Sequence, residues 1–154
     1  MTRIIRFIAF LIVTTAIGQN SVDVETQVKN SIDTFFEGFH KGDTLLMKSV
    51  LANKVITQTV TKNKEGKTLL GTESMQDFLK VIGARPANQK WKEKLLDYKI
   101  QVDGNMAHVW TPYEFWFNDS FSHCGVNSFQ LFNDNGTWKI SYLIDTRRRA
   151  GCQD

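Results

Sequence analysis

His123 and Asp145 are the two side chains of this 154-residue chain whose types best suit catalysis. A carboxylate beside an imidazole can act as a general base, removing a proton next to a carbonyl, when its pKa is tuned towards the working pH. Tyr113 or Asn127 would then donate to the developing oxyanion. The stretch SFSHCGVNSFQLF, Ser120 to Phe132, suggests how such groups meet. Phe129 and Leu131 share one face of a strand, because successive side chains alternate. Followed backwards, that core-facing row receives Asn127, Gly125 and His123.

Two turns fix an expected register. Centring a turn on Asn133–Gly136 pairs Phe132 with Trp138, Ser128 with Tyr142 and Gly125 with Asp145. Centring a turn near Asp119 pairs Phe115 with His123, Tyr113 with Gly125 and Thr111 with Asn127. Directly paired residues point to one face. That face carries Val109, Phe129, Leu131 and Leu143 towards one end, and Thr111, Tyr113, His123, Asn127, Asp145 and Arg147 towards the other. With strands ~4.8 Å apart, the polar groups can ring one cavity, with Phe36 and its neighbours Phe35 and Phe39 as apolar wall. Pro112 leaves a choice open: a bulge there would turn Glu114, instead of Tyr113, into the pocket. Each polar residue taken alone also fits a structural role, such as a rim ion pair between Asp145 and Arg147.

Other chemistries find less support. His40, His123 and Asp145 lack a metal-ligand spacing, and His108 falls on the opposite face, so neither metal nor cofactor is expected. Cys124 faces away from His123 and is not activated by it. The chain has no GxSxG and no phosphate loop. Trp110, Trp116, Trp138, Ile140 and Ile144 share the expected outer face, a patch large enough to predict a homodimer.

Periodicity supplies the elements that must position these groups. Val28, Ile32, Phe35, Phe36 and Phe39 form one face of a long helix starting near Asp23 and stopped by Gly42. Asp43 caps a short second helix carrying Leu45, Leu46, Val50 and Leu51. VITQTVTKN reads as a strand, turned at Glu65-Gly66 into Thr68 to Leu70. Met75, Phe78, Leu79 and Ile82 mark a third helix, with Ser74 and Asp77 as a capping box. From Trp91 onward the signal is strand throughout. Leu96, Tyr98, Ile100 and Val102 alternate, and hairpin turns fall at Asp103-Gly104, Asn118-Asp119 and Asn133–Gly136. The order is α-α-β-β-α-β-β-β-β, an α+β domain with three helices on a strongly curved, mainly antiparallel six-stranded sheet.

The first residues differ from the rest. MTRIIRFIAFLIVTTAIGQ has two early arginines, an apolar run from Phe7 to Val13, and small residues up to Gly18. That is the layout of a secretory signal over residues 1–18, cleaved after Gly18, and too short for a membrane span. Residues 19–154 would then form one exported domain, periplasmic or secreted, with no membrane attachment. Cleavage lowers the formal charge from +3 to +1, so nothing electrostatic points to nucleic acid. The run Arg147-Arg148-Arg149 reads as a solvated tail at Arg148 and Arg149. The only cysteines, Cys124 and Cys152, can pair in an oxidising compartment if the chain folds back at Gly151.

The element order, with TFFEGFHKGDTLLMKSVLANKVI at the front and GTWKISYLIDTRR in the last strand, resembles the nuclear transport factor two-like superfamily. HCGVNSFQLF and DTRRRAGC are similar to stretches of its small exported members. The resemblance implies the cone-shaped fold. It also implies functions that range from ligand binding to SnoaL-like or ketosteroid-isomerase-like lyase and isomerase chemistry. The catalytic aspartate of ketosteroid isomerase has no match here. The leading expectation is a domain that binds a small, mainly apolar ligand. The alternatives are a lyase or isomerase using Asp145 and His123, and a dimerisation or partner-binding module.

Overall fold

The computed structural model of the chain describes residues 18–152, and their side chains from residue 23. The expected signal segment therefore lies outside the described residues, apart from Gly18. Three helices, α1 (Gly18–Lys41), α2 (Thr44–Ser49) and α3 (Met75–Gly83), accompany seven strands. These are β1 (Leu51–Lys62), β2 (Thr68–Ser74), β3 (Trp91–Leu95), β4 (Lys99–Asp103), β5 (Met106–Phe117), β6 (Ser120–Asp134) and β7 (Thr137–Thr146). The sheet order is β2-β1-β7-β6-β5-β3, with β4 also on β5. All pairs are antiparallel except β1 with β7. Among the described residues no helix is long and apolar enough to cross a membrane.

The helices cover the concave face. Val28, Ile32, Phe35, Phe36 and Phe39 of α1 are buried against Val109 of β5, Phe129 and Leu131 of β6, and Ile140 of β7. Phe35 and Phe36 both meet Phe129 edge-on, with centroids 6.2 and 6.1 Å away. Such edge contacts add to area burial. Gly42 (φ +73) ends α1, and Arg85 donates to the carbonyls of Phe39 and His40 at its C-terminus. Asp43 caps α2 through the Leu45 and Leu46 amides, as expected. The helix is shorter than expected, however. Leu45 is 76% exposed, Met47 is the buried residue, and Leu51 opens β1. Ser74 stands at the N-cap of α3 without a side-chain cap bond, so the capping box does not form.

The sheet departs from the expected count because the chain breaks at residues 96–98. β3 and β4 then pair with opposite halves of β5. Pro112 sits at that break. It pairs with Val126 without a bulge, and its carbonyl accepts from the Leu96 amide. A proline is tolerated there because the neighbouring ladder is interrupted at that point.

The β5–β6 register is the expected one: Phe115 with His123, Tyr113 with Gly125, Thr111 with Asn127. The β6–β7 register differs. Asn135 (φ 51) and Gly136 (φ 93) form a two-residue turn, which pairs Asn133 with Trp138 and Phe132 with Lys139. A bulge follows, since Leu131 pairs with Ile140 and Gln130 with Tyr142, leaving Ser141 extra. The tight turn moves the pairing by one residue and the bulge by one more. Beyond the bulge Asp145 keeps the expected face, opposite Asn127. Before it the faces exchange: Trp138 and Ile140, expected outside, are buried in the core at 2% and 0% exposure.

Candidate functional site

A cavity of about 290 Å³ lies between α1, α3 and the sheet. Its apolar wall is Phe35, Phe36 and Phe39 from α1, Phe78 from α3, Trp91 from β3, Phe115 and Phe117 from β5, and Leu143 from β7. Its polar wall is Thr57, Glu73, Glu93, Tyr113, His123, Asn127, Asp145 and Arg147. Five expected polar residues (Tyr113, His123, Asn127, Asp145 and Arg147) and Phe36 thus line one space. Thr111 does not. It shares the face but is fully buried in the core, its hydroxyl on the Pro112 carbonyl at 3.4 Å. Glu114 does not either. Without a bulge at Pro112 it projects outwards, accepting from Trp116 Nε1 at 3.1 Å and lying 3.7 Å from Lys94 Nζ.

Asp145 is the hub of the polar wall. Thr59 Oγ1 donates to its Oδ1 at 2.5 Å. Tyr113 Oη and Arg147 Nε reach its Oδ2 at 3.2 and 2.8 Å. The parallel pairing of β1 with β7 sets Thr59 beside Asp145 and so brings the hydroxyl there. Tyr113 also contacts the Thr146 carbonyl at 3.0 Å. Burial, with the charges of Glu93 and Asp145, pushes its phenol up, so it remains a donor.

Gly125 makes room for this arrangement. A Cβ there would stand 1.7 Å from the Thr146 carbonyl oxygen and 2.7 Å from the Tyr113 ring. The glycine in the core-facing row is therefore the slot into which Tyr113 and the end of β7 fit.

His123 stacks on Phe115 with centroids 4.9 Å apart, and Tyr113 meets it edge-on at 5.9 Å. Its Nδ1 lies 3.1 Å from Ser122 Oγ. Burial, then the Arg147 charge, lowers its pKa, which favours the neutral ring. Among the described residues no hydrogen bond joins His123 to Asp145; the Asp145 charge acts on the ring through space, opposing the fall in its pKa.

Sequence reasoning missed Glu93. It lies on β3 between Trp91 and Leu95, on the inward face, and accepts from Asn127 Nδ2 at 2.6 Å. Burial raises its pKa to about 8. The Asn127 bond opposes that rise, Asp145 adds to it and Arg147 opposes it. Near neutral pH Glu93 is thus largely a carboxylic acid, able both to donate and to accept. The Glu93 amide donates to His40 Nε2 at 3.0 Å, which ties β3 to the end of α1. His40 is held by that backbone and does not line the cavity. The signal for Glu93 was present in WKEKL: period two sets Glu93 in line with Trp91 and Leu95, and Lys92 and Lys94 outside.

Thr57 adds a further polar atom to the wall. Its hydroxyl is buried and has no hydrogen-bond partner among the described residues.

The structure joins Cys124 to Cys152 with Cα atoms 5.8 Å apart. Arg148 exchanges both backbone hydrogen bonds with Cys124, and Gly151 (φ 65) turns the tail back. On the outer face Met106, Trp110, Phe121 and Phe132 are 56%, 43%, 42% and 39% exposed.

Solved structures share this fold. An NTF2-like protein of unknown function from Shewanella baltica superposes with TM-score 0.61 at 15% identity, over 84% of this chain and 97% of that one. A protein of unknown function with a cystatin-like fold from Nostoc punctiforme gives 0.61 at 11%, over 82% and 92%. An NTF2-like protein with a cystatin-like fold from Novosphingobium aromaticivorans gives 0.65 at 9%, over 86% and 87%. At these identities the likeness concerns the fold. No curated protein matches the chain in sequence. A family profile described as "Putative lumazine-binding" matches residues 23–142, most of the described chain. The chain belongs to that family, and its α+β cone architecture is the fold seen in the NTF2-like structures above.

Proposed function

We propose that the protein is an exported domain that binds one small, mainly apolar molecule in the concave cavity. The observation that carries this reading is the cavity itself. About 290 Å³, walled by aromatic rings on one side and by hydrogen-bonding groups on the other, is close to the lower size of small-molecule sites. A planar ring system suits it, with its faces against Phe36, Phe39 and Trp91. Its polar edge would meet Glu93, Asn127 and the unpartnered Thr57 hydroxyl. The family's description, lumazine-binding, is consistent with such a shape. The disulfide supports export, because oxidising compartments are where such bonds persist. The exposed apolar outer face supports a homodimer with the cavities facing away from the interface.

Native mass spectrometry of protein isolated from its own host tests the reading. The expected result is a complex heavier than the polypeptide by one small molecule, which is lost on denaturation. A bare polypeptide mass, together with no thermal shift across a panel of bicyclic compounds, would count against it.

One observation favours an enzymatic reading, a lyase or isomerase. Glu93 titrates near working pH inside the cavity, where a general acid or base is most effective. Glu93 would then move the proton, in place of the Asp145–His123 pair, and Tyr113 would donate to the substrate oxygen.

A further inference from the structure

A second, more open groove of about 1030 Å³ shares wall residues with the cavity. His123 and Arg147 line both spaces. The groove carries Lys62, Arg147, Arg148 and Arg149, and no carboxylate lines it among the described residues. Only Arg147 has an acidic partner there, Asp145. Lys62, Arg148 and Arg149 form no ion pair among the described residues, and all three are exposed.

These cations are not on a loose tail. The Arg147 amide donates to the Val60 carbonyl at 3.2 Å. Arg148 is bonded on both sides of its backbone to Cys124, and its Nε contacts the Gly151 carbonyl at 3.3 Å. The Cys124–Cys152 bond fixes the far end of the segment. Holding like charges together around one groove costs repulsion, which an anion seated among them would relieve. Guanidinium groups suit carboxylate and phosphate oxygens in particular.

We propose that the ligand is an amphipathic organic anion. Its apolar body would occupy the aromatic cavity, and its carboxylate or phosphate head would emerge past His123 and Arg147 into the arginine groove. This rests on the reading of the cavity as a small-molecule site. It narrows the ligand from any compact apolar molecule to one with an acidic group at the end of its body.

Two fluorescent probes with one ring body separate the two claims. 1-Anilinonaphthalene-8-sulfonate carries an anionic group, and N-phenyl-1-naphthylamine lacks it. The expected result at low salt is that both bind, the anionic probe about tenfold more tightly, and that they compete for one site. Arg148→Gln/Arg149→Gln, a surface change that leaves the core intact, should remove that preference and leave the neutral probe's affinity unchanged. High salt should act on the anionic probe in the same way. With the anionic probe bound, naphthalene-1-carboxylate and 1-naphthyl phosphate as competitors then rank the two head groups. Equal affinities for the two probes, or a preference that survives the double substitution, would overturn the proposal and leave the cavity reading standing. Anionic-probe binding that does not compete with the neutral probe would overturn it as well, since the anion would then sit in the groove alone. Failure of both probes to bind would overturn the cavity reading and this inference with it.

Discussion

Asn127 Nδ2 donates to Glu93 Oε1 at 2.6 Å, joining β6 to β3 across the width of β5. The bond crosses the concave side of the sheet, and it places a carboxyl of raised pKa within the aromatic cavity. Its energetic signature follows from linkage. A carboxyl whose folded pKa is about 8 binds more protons in the folded state than an unfolded chain does above about 4.5. Its contribution is fully present below the unfolded value and is lost as pH rises towards 8. The lowered histidines, His40 and His123, act in the opposite sense but only below their ordinary 6.5. Between pH 6.5 and 8, therefore, unfolding free energy should fall with pH, at a slope approaching about 1.4 kcal/mol per unit. Glu93→Gln should flatten that slope. Urea titrations at intervals of half a pH unit measure it, and an unchanged slope in the variant would show that Glu93 is not the group responsible.

Asp145→Asn should destabilise the protein by about 1.5–3 kcal/mol. The substitution keeps the shape but removes the charge that Arg147 pairs with, and it sets an NH2 group against donors from Thr59 or Tyr113. Denaturant midpoints of wild type and variant decide the matter. A difference below about 0.5 kcal/mol would mean that the hub is held by packing alone.

Gly125→Ala should cost about 3 kcal/mol or prevent folding. The added methyl meets a backbone carbonyl, which cannot yield as a flexible side chain would. Thermal melts of Gly125→Ala test this, with Gly71→Ala as control, where the nearest atom would be 3.8 Å away. Equal melting temperatures would contradict the close approach of Thr146 and Tyr113.

Cys124 and Cys152 should resist alkylation in the unreduced, denatured protein from an oxidising compartment and react fully after reduction, as read by intact mass. Cys152→Ser should lower stability by about 3–4 kcal/mol on the chain-entropy account of a 28-residue separation. Two alkylated cysteines before reduction would remove the bridge.

Trp110→Glu should convert a micromolar dimer into a monomer in sedimentation velocity, with the fold intact by circular dichroism. Trp110 is 43% exposed on the outer face and touches no cavity group, so the change reads assembly alone. A wild type already monomeric at that concentration would defeat the dimer.

The parts of the fold that could be read from sequence are those set by local pattern. The α1 face could be read because residue period decides it, and the β5–β6 pairs at the site are those expected from centring the turn near Asp119. Asn118 and Asp119 both take positive φ (47 and 63) in a two-residue turn that pairs Phe117 with Ser120 and Trp116 with Phe121, and a bulge at Ser122 then brings Phe115 opposite His123. The β6–β7 register was not legible, since nothing in TWKISYLIDT marks Ser141 as an extra residue. That bulge is chosen by packing, which buries Trp138 and Ile140 at one end and Asp145 at the other. Glu93 was hidden by its lysine neighbours, although its own face was apolar. The parallel contact of β1 with β7, which brings Thr57 and Thr59 to the site, joins segments some 85 residues apart and leaves no local trace.

Ser141 has a consequence for how such a cavity arises. With the turn at Asn135-Gly136 kept and Ser141 paired instead of bulged out, the ladder would continue in its first frame, and Ile144 would stand opposite Asn127 where Asp145 now stands. The hub carboxylate would then face outwards, and Thr59 and Tyr113 would lose the acceptor they share. One bulged residue therefore decides whether the β7 carboxylate faces the chamber or turns away from it. Deleting Ser141 outright would keep Asp145 opposite Asn127, because the extra residue has no partner on β6; the polar wall depends on the register of β7 and tolerates loss of the bulge residue itself.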